Sequence, residues 1–439
     1  MPELALDRAP RRDDYDAVVV GGGPGGCTFA QLLVRRGFRV LLVERERHPR
    51  FSIGESLLPA TVPLWRRLGV LERFERAGFL RKYGAYFCDA DGREPAPVRF
   101  STATRRVHAH AYQVRRADFD RILWEAALEA GAEGVDRTQV EEVRFEGGRA
   151  RGVALRGEDG RTRDVSARLV ADCSGRATLI GRQLSLRERD PGLHKVALYA
   201  HYDDAIRSTG DDAGTLAIVG APFGWMWLIP FQGGGASVGA VLDHRVYGAW
   251  RREGLDNERC WERVLEQVPA VSQRLVGATP ARPLEAAADF QYRLRQTCGD
   301  GWVAVGDAGA FLDPIFSTGV HLAMTGAERA SRDAARALAG GRLPVAADFA
   351  RSVRQNRAEQ DVFERLIRAW YEPACRELLS RAPAPHPGAA WLKREIVSVL
   401  AGAATPAWRV RPAVGLLLWV ARRQAGAGAQ TQAEAGAQP

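Results

Sequence analysis

The sequence predicts an α/β protein: a Rossmann-like nucleotide-binding domain, interrupted by a β-rich domain and followed by a helical C-terminal region. Three observations predict it. A β-branched run, Tyr15 to Val20, passes through a glycine-rich turn into a helical stretch at 24–36, then into a second apolar run, Val40 to Val43. A strand–helix–strand unit of about 30 residues starts a parallel sheet. From 195 to 300 the pattern turns strand-like, and from Trp302 onward strand and helix return.

The elements follow in order. Residues 1–13 are charged and lack an apolar period, as in a loose arm. Residues 57–78 read as helical and 83–112 as strands and turns. Phe119, Ile122, Leu123, Ala126 and Ala127 give 117–131 one apolar helical face, stopped at Gly131. Strand-like runs follow around 140–155 and 163–173. The next are Val196 to Tyr202, Thr215 to Val219, Trp225 to Phe231 and Ala236 to Leu242, with one helical insert near 257–275. Trp302 to Val305 is a strand. Residues 319–339, 346–381 and 388–403 are helical. The expected domains are 14–82, 113–185 and 296–340 for the nucleotide; 83–112 and 195–295 for the β-rich domain; and 345–423 for the helical region. The Ala/Gly/Gln-rich tail 424–439 is expected to be disordered.

Composition narrows the function. The chain has 439 residues, 46% hydrophobic and 26% charged, the balance of a globular protein. Its most apolar late run, Val414 to Val420, is far short of the roughly 20 residues of a membrane span, and no signal peptide is visible. The six cysteines are scattered without a C-x-x-C, which argues against disulfides and a zinc site and fits a reducing cytoplasm. The eight histidines form no ligand motif, so no metal is expected. The net charge of +9 is spread rather than striped, against nucleic acid and compatible with an acidic protein or anionic ligand. Of 62 basic residues only Lys82, Lys195 and Lys393 are lysines.

Gly21, Gly23 and Gly26 have the G-x-G-x-x-G spacing between strand and helix. Gly21 permits the turn, Gly23 lets backbone approach a pyrophosphate, and Gly26 lets helix pack on strand. Glu44 ends the next strand, where an acid accepts from ribose hydroxyls. These features fit NAD and FAD equally. Later segments separate the two. Gly306-Asp307-Ala308, between strand and helix, resembles the second FAD motif, whose aspartate holds the ribityl chain. Arg116 in Gln113-Val114-Arg115-Arg116 matches a flavin-contacting arginine, or else forms a surface salt bridge. Asp172-Cys173-Ser174-Gly175 resembles an Asp-x-Ser-Gly turn of the same proteins, or is a structural turn.

Four further segments carry a closer resemblance: Ile53-Gly54-Glu55-Ser56-Leu57-Leu58-Pro59-Ala60-Thr61, Lys82 within 78–84, Trp225-Met226-Trp227-Leu228-Ile229-Pro230, and Asp313-Pro314-Ile315-Phe316-Ser317-Thr318-Gly319-Val320. With Trp370-Tyr371-Glu372-Pro373 and 397–402, the chain from about 15 to 403 resembles the flavin-dependent halogenases. The match is to the branch acting on phenols and pyrroles, often tethered to an acyl or peptidyl carrier protein. The resemblance implies a flavin monooxygenase-type fold. It also implies that reduced FAD (FADH2) and O2 turn chloride or bromide into hypohalous acid, which travels through a tunnel to a lysine. Lys82 matches that lysine, with a surface lysine as the alternative. An amine can lose its proton in a dry pocket and carry halogen; guanidinium cannot.

Trp225 and Trp227, two apart on a strand, share a face and would wall the flavin off, or simply fill a core. Thr318 and Gly319 match the halide site, beside Ser317, where a helix start offers N–H groups to an anion; Ser317 and Thr318 are alternatively helix caps. Phe316 stands where the tryptophan-specific branch has a glutamate, which favours an activated phenol or pyrrole. Glu55 and Ser56 face the flavin edge, or Glu55 is a buried paired carboxylate. His321 reads as packing or capping. With one dinucleotide fingerprint, the chain would need a separate flavin reductase. The rival readings are a flavin hydroxylase of the same fold, a prenyl reductase-like flavoprotein, and an FAD-binding scaffold without turnover.

Overall fold

The computed structural model describes residues 9–423, apart from 93–97, 105–106, 191, 289–290, 374, 377–386, 406–407, 409 and 421–422. The tail 424–439 and the start of the N-terminal arm lie outside the described residues.

Strand Asp14–Val20 sits between Val40–Val43 and Thr162–Asp172, parallel to both. Trp302–Ala304 extends the sheet on one side and Glu133–Val135 on the other, again in parallel. Such strands are buried on both faces, which is why Val40–Val43 is a continuous apolar run. Ala17, Val19, Leu42 and Leu169 pack against helices Pro24–Val34, Arg116–Glu129 and Gly319–Ala339. Val18, Val20, Leu41 and Val170 pack on the opposite side, against a hairpin of Gln139–Glu146 and Arg149–Arg156. The single strand expected at 140–155 is therefore two, turned at Gly147 and Gly148, both at positive φ.

The second large sheet carries Lys195–Asp203, Leu216–Ala221, Gly224–Pro230 and Ala236–Asp243 as its centre. Its strands alternate cleanly. Trp225, Trp227 and Ile229 face one core, shared with Phe363, Trp370, Leu392 and Ile396 of the C-terminal helices. Met226 and Leu228 face the other, covered by Trp250, Trp261 and Val264. Those covering residues sit on helices His244–Arg252 and Asn257–Glu266, N-capped by Asp243 and Asp256. The first of these helices extends the helical insert forward from the expected 257–275, and the remainder is broken at Pro269.

A small ribbon joins the two regions: Leu80–Lys82 pairs antiparallel with Ala111–Gln113, and Gln113 bridges to Ser56 on its other side. The expected helix over 57–78 is a short turn, Pro59–Thr61, then helices Val62–Leu68 and Leu71–Arg76 hinged at Gly69. No helix among the described residues is long and apolar enough to cross a membrane, and no group of three metal-ligating side chains is found among them.

Candidate active site

One cavity of about 950 Å³ runs from the C-terminal edge of the first sheet to the tryptophan face of the second. That is the upper end of the range for cofactor sites. Gly21, Gly23, Glu44, Arg116 and Asp307 line one end; Trp225, Trp227, Ile229 and Leu216 line the other; Ser317, Thr318 and Gly319 also line it.

At the polar end the glycines do different things. Gly21 has φ +106°, and a Cβ there would strike the Cys173 carbonyl at 2.4 Å. A Cβ on Gly26 would lie 1.9 Å from the Gly21 carbonyl oxygen, so this glycine serves helix–strand packing and does not line the cavity. Gly23 is extended backbone, and a Cβ would meet only Arg50 Nη2, at 3.4 Å. Its emptiness faces the cavity. Glu44 accepts from the Gly22 N–H at 2.9 Å and from Arg50 Nε at 3.2 Å on one oxygen, and from the Glu46 N–H on the other. Arg116 is buried, not a surface residue: it grips Asp120 at 2.7 and 2.9 Å and donates to the Ile53 carbonyl. Asp307 faces the cavity; burial pushes its carboxyl up to about 6, against the pull of Arg116 and Arg176. Asp172 is fully buried and does turn work, accepting from the N–H groups of Ser174 and Ile180.

This end fits FAD. It has a glycine left open towards the cavity, a helix start, an acid at the end of the second strand, and a cationic and an anionic side chain further along.

At the other end the Trp225 and Trp227 rings lie 5.8 Å apart, both on the cavity face. Trp227 Nε1 donates to Ser237 Oγ at 3.1 Å and its ring covers Gly239, where a Cβ would come within 2.2 Å. Trp225 Nε1 donates to the Tyr371 hydroxyl at 3.0 Å, which donates to Asp313 at 2.6 Å. Asp313 in turn accepts from the Ile315 N–H at 3.1 Å and so caps the turn Pro314–Phe316. Sequence reasoning missed this chain of contacts, which ties the tryptophan wall to the turn before Ser317. Neither Ser317 nor Thr318 caps the following helix with its side chain. Ser317 takes the left-handed conformation, φ +57°, and nothing lies within 4 Å of a Cβ on Gly319.

Lys82 is 2% exposed. Its Nζ donates to the Leu57 carbonyl at 3.2 Å and lies 5.5 Å from the Phe100 ring centroid. Burial lowers its pKa to about 7, because no carboxylate compensates the desolvated ammonium. Lys82 does not itself line the cavity; Ser56, which bridges to Gln113 on the far side of the ribbon, does. Glu55 lines it too, with Oε1 2.8 Å from His201 Nε2, both groups buried. His321 is a packing residue, held between Thr61 Oγ1 at 2.8 Å and Glu359 Oε1 at 3.2 Å.

The chain matches the family model described as FAD binding domain over residues 14–364. It is 31% identical over 382 residues to a 1H-pyrrole-2-carbonyl-[peptidyl-carrier protein] chlorinase of Pseudomonas fluorescens, covering 82% of each chain. Among solved structures, a flavoprotein/dehydrogenase from Cytophaga hutchinsonii superposes with a TM-score of 0.84 at 28% identity, over 94% of this chain and 99% of that one. The myxobacterial chondrochloren halogenase CndH, an FAD-dependent halogenase, superposes with a TM-score of 0.75 at 29% identity, over 93% and 97%. The chain carries an FAD-binding domain and belongs to the flavin-dependent halogenase family, as an FAD-dependent halogenating enzyme.

Proposed function

We propose that the enzyme chlorinates or brominates an electron-rich aromatic, a phenol or pyrrole, free or on a carrier protein, through hypohalous acid delivered to Lys82. The observation that carries this reading is the lysine itself: buried, bonded to one carbonyl, and poised to lose its proton near pH 7. FAD would be held by the Gly21–Gly26 turn, Glu44, Arg116 and Asp307. Reduced by a separate flavin reductase and with O2, it would supply the oxidising equivalent that turns halide into hypohalous acid.

The protein's residues do the rest. Thr318 and Gly319 hold halide at the start of a 21-residue helix, whose first N–H groups lack intrahelical acceptors. Trp225 and Trp227 keep water and substrate from the flavin end. Neutral Lys82 either hydrogen-bonds the hypohalous acid or takes its halogen. In the second case an N–X bond forms, the O–X bond breaks and water leaves. The ring then attacks the halogen, and the amine recovers a proton as the ring loses one. Phe316, buried and apolar, offers no carboxylate to activate an unreactive ring, which favours a phenol or pyrrole. The relative acting on a pyrrole bound to a carrier protein supports a tethered substrate here.

The test supplies protein, FAD, a flavin reductase with NADH, air and bromide. Phenols and pyrroles are offered free and carrier-loaded, and products are read by mass spectrometry. A bromine isotope doublet is expected, lost by at least ~100-fold in Lys82→Ala. A doublet that survives Lys82→Ala rejects the role of the lysine. Oxygen added without halogen identifies a hydroxylase.

A further inference from the structure

We infer that Ser56 and Gln113 form the polar handover through which hypohalous acid passes from the cavity to Lys82. The inference rests on the delivery to Lys82 proposed above.

Strand register brings these side chains together. Gln113 is flanked on one side by Ser56 and on the other by Leu80, both antiparallel. Directly opposed residues in antiparallel strands put their side chains on the same face. Ser56, Gln113 and Leu80 therefore stand in one row. Lys82 is two residues beyond Leu80, so it rises from that same face, opposite Ala111. Ala111 contributes only a methyl there, so the lysine stem can cross above it. Its Nζ ends on the carbonyl of Leu57, the residue next to Ser56.

Two atoms in this row are anomalous. Ser56 is 4% exposed and Gln113 1%. Gln113 spends its amide nitrogen on the Gly214 carbonyl at 2.8 Å. Ser56 Oγ and Gln113 Oε1 are both buried with no hydrogen-bond partner among the described residues. A buried polar atom without a protein partner costs free energy, which a bound molecule that completes it can recover. Ser56 lines the cavity, and Lys82 does not. The two orphaned oxygens thus occupy the step between the space where hypohalous acid would arise and the amine that would receive it.

The chemistry matches. Hypohalous acid has one O–H to donate and an oxygen that accepts. Gln113 Oε1 can only accept; Ser56 Oγ can do both; neutral Lys82 donates and accepts. The molecule could be passed along the row with its hydrogen bonds kept, and no covalent bond is made or broken at Ser56 or Gln113. Neither side chain is a ready nucleophile towards halogen, unlike the amine beyond them.

The experiment uses full-length enzyme with FAD, a flavin reductase, NADH, air and bromide. It measures halogenated aromatic per NADH consumed and, in parallel, hypobromous acid escaping to a soluble dione trap. FAD affinity by fluorescence titration and the melting temperature are recorded for each variant. Ser56→Ala and Gln113→Met should each lower product per NADH by about fivefold, the effect of one lost hydrogen bond. The trapped fraction should rise in step, with FAD affinity unchanged. Ser56→Thr, which keeps the hydroxyl, should restore the ratio. Unchanged partition in both variants, beside a wild type that halogenates, overturns the handover and leaves delivery to Lys82 standing. If the wild type yields no halogenated product while Ser56→Ala binds FAD normally, the reading of function falls and the handover falls with it. A variant that loses both FAD binding and fold assigns its residue to structure, and the product per NADH of the variant that folds then decides for the other residue.

Discussion

The two ends of the cavity are built by opposite means. The proposed flavin end is set first by backbone: Gly21, Gly23 and Gly26 clear space and a helix start supplies N–H groups, with Glu44, Arg116 and Asp307 added around them. The tryptophan end is made of side chains on a pleated face, with Trp225, Trp227 and Ile229 in alternation and Tyr371 reaching in from a helix more than a hundred residues away. A backbone site tolerates almost no added atom and depends on few partners. A side-chain site tolerates substitution but depends on contacts distant in sequence. The two ends should therefore fail differently.

The sharpest break is expected at Gly26→Ala. Its new Cβ would fall 1.9 Å from a main-chain carbonyl that cannot swing aside. A loss of at least ~3 kcal/mol, enough to abolish FAD retention, is expected. Denaturant unfolding with and without FAD checks it. A variant of native stability would show that the helix can slide on its strand and that the backbone end is softer than described.

Lys82→Met tests a side-chain site beyond the cavity, with effects of opposite sign on activity and stability. Activity should fall by ~100-fold or more, while stability at neutral pH should rise. A folded lysine titrating near 7, against 10.5 when unfolded, carries its full penalty below pH 7. In the window from about 7 to 10.5 the unfolded state binds the extra proton, so wild-type stability climbs with pH across that window. The methionine removes the penalty, so the variant should gain ~3–4 kcal/mol near pH 7 and almost nothing near pH 10.5. Halogenation by the wild type should rise through pH 7 as the amine becomes neutral. A stability gain independent of pH would mean that Lys82 is hydrated, and not desolvated as its burial indicates.

Gly239→Ala probes the tryptophan wall with a smaller effect. The added methyl meets the Trp227 ring at 2.2 Å, and a side chain can move where a carbonyl cannot. The expected cost is ~1–3 kcal/mol, with loss of the Trp227–Ser237 hydrogen bond and a changed near-UV circular dichroism spectrum. An unchanged spectrum and stability would remove Gly239 from the account of why the indole lies flat.

The same contrast explains what could be read beforehand. The glycine turn, Glu44, the Trp225/Trp227 pair and helix Gly319–Ala339 are legible because spacing alone determines them. The burial of Lys82 is not: only the family resemblance points to a dry pocket there, because the cover of this three-residue strand, Phe100 and helix Pro387–Leu400 packed over 100–104, is tertiary. The Tyr371–Asp313 contact is likewise tertiary, although both residues lie in segments that carry the family resemblance. Helix His244–Arg252 escaped because only Trp250 of its nine residues is buried. Its Asp243 cap was the available signal, as the Gly147-Gly148 pair was for the hairpin.

The smallest effect is the most discriminating. Gly23 has φ −82° and ψ −175°, a conformation open to any residue. A Cβ there touches only the end of Arg50, a flexible side chain, at 3.4 Å. Nothing in the empty protein requires glycine at 23, unlike at 21 or 26. Gly23→Ala should therefore leave apoprotein stability within ~0.5 kcal/mol of wild type. FAD affinity should still weaken by about tenfold, ~1.4 kcal/mol, because the methyl stands where the backbone must approach the pyrophosphate. Calorimetric titration with FAD, beside thermal unfolding of the apoprotein, reads both numbers. Should stability fall while affinity holds, the residue is structural and the pyrophosphate lies elsewhere along the cavity. Should affinity alone fall, the glycine is there for the ligand, and the flavin end is specified by the space it leaves empty.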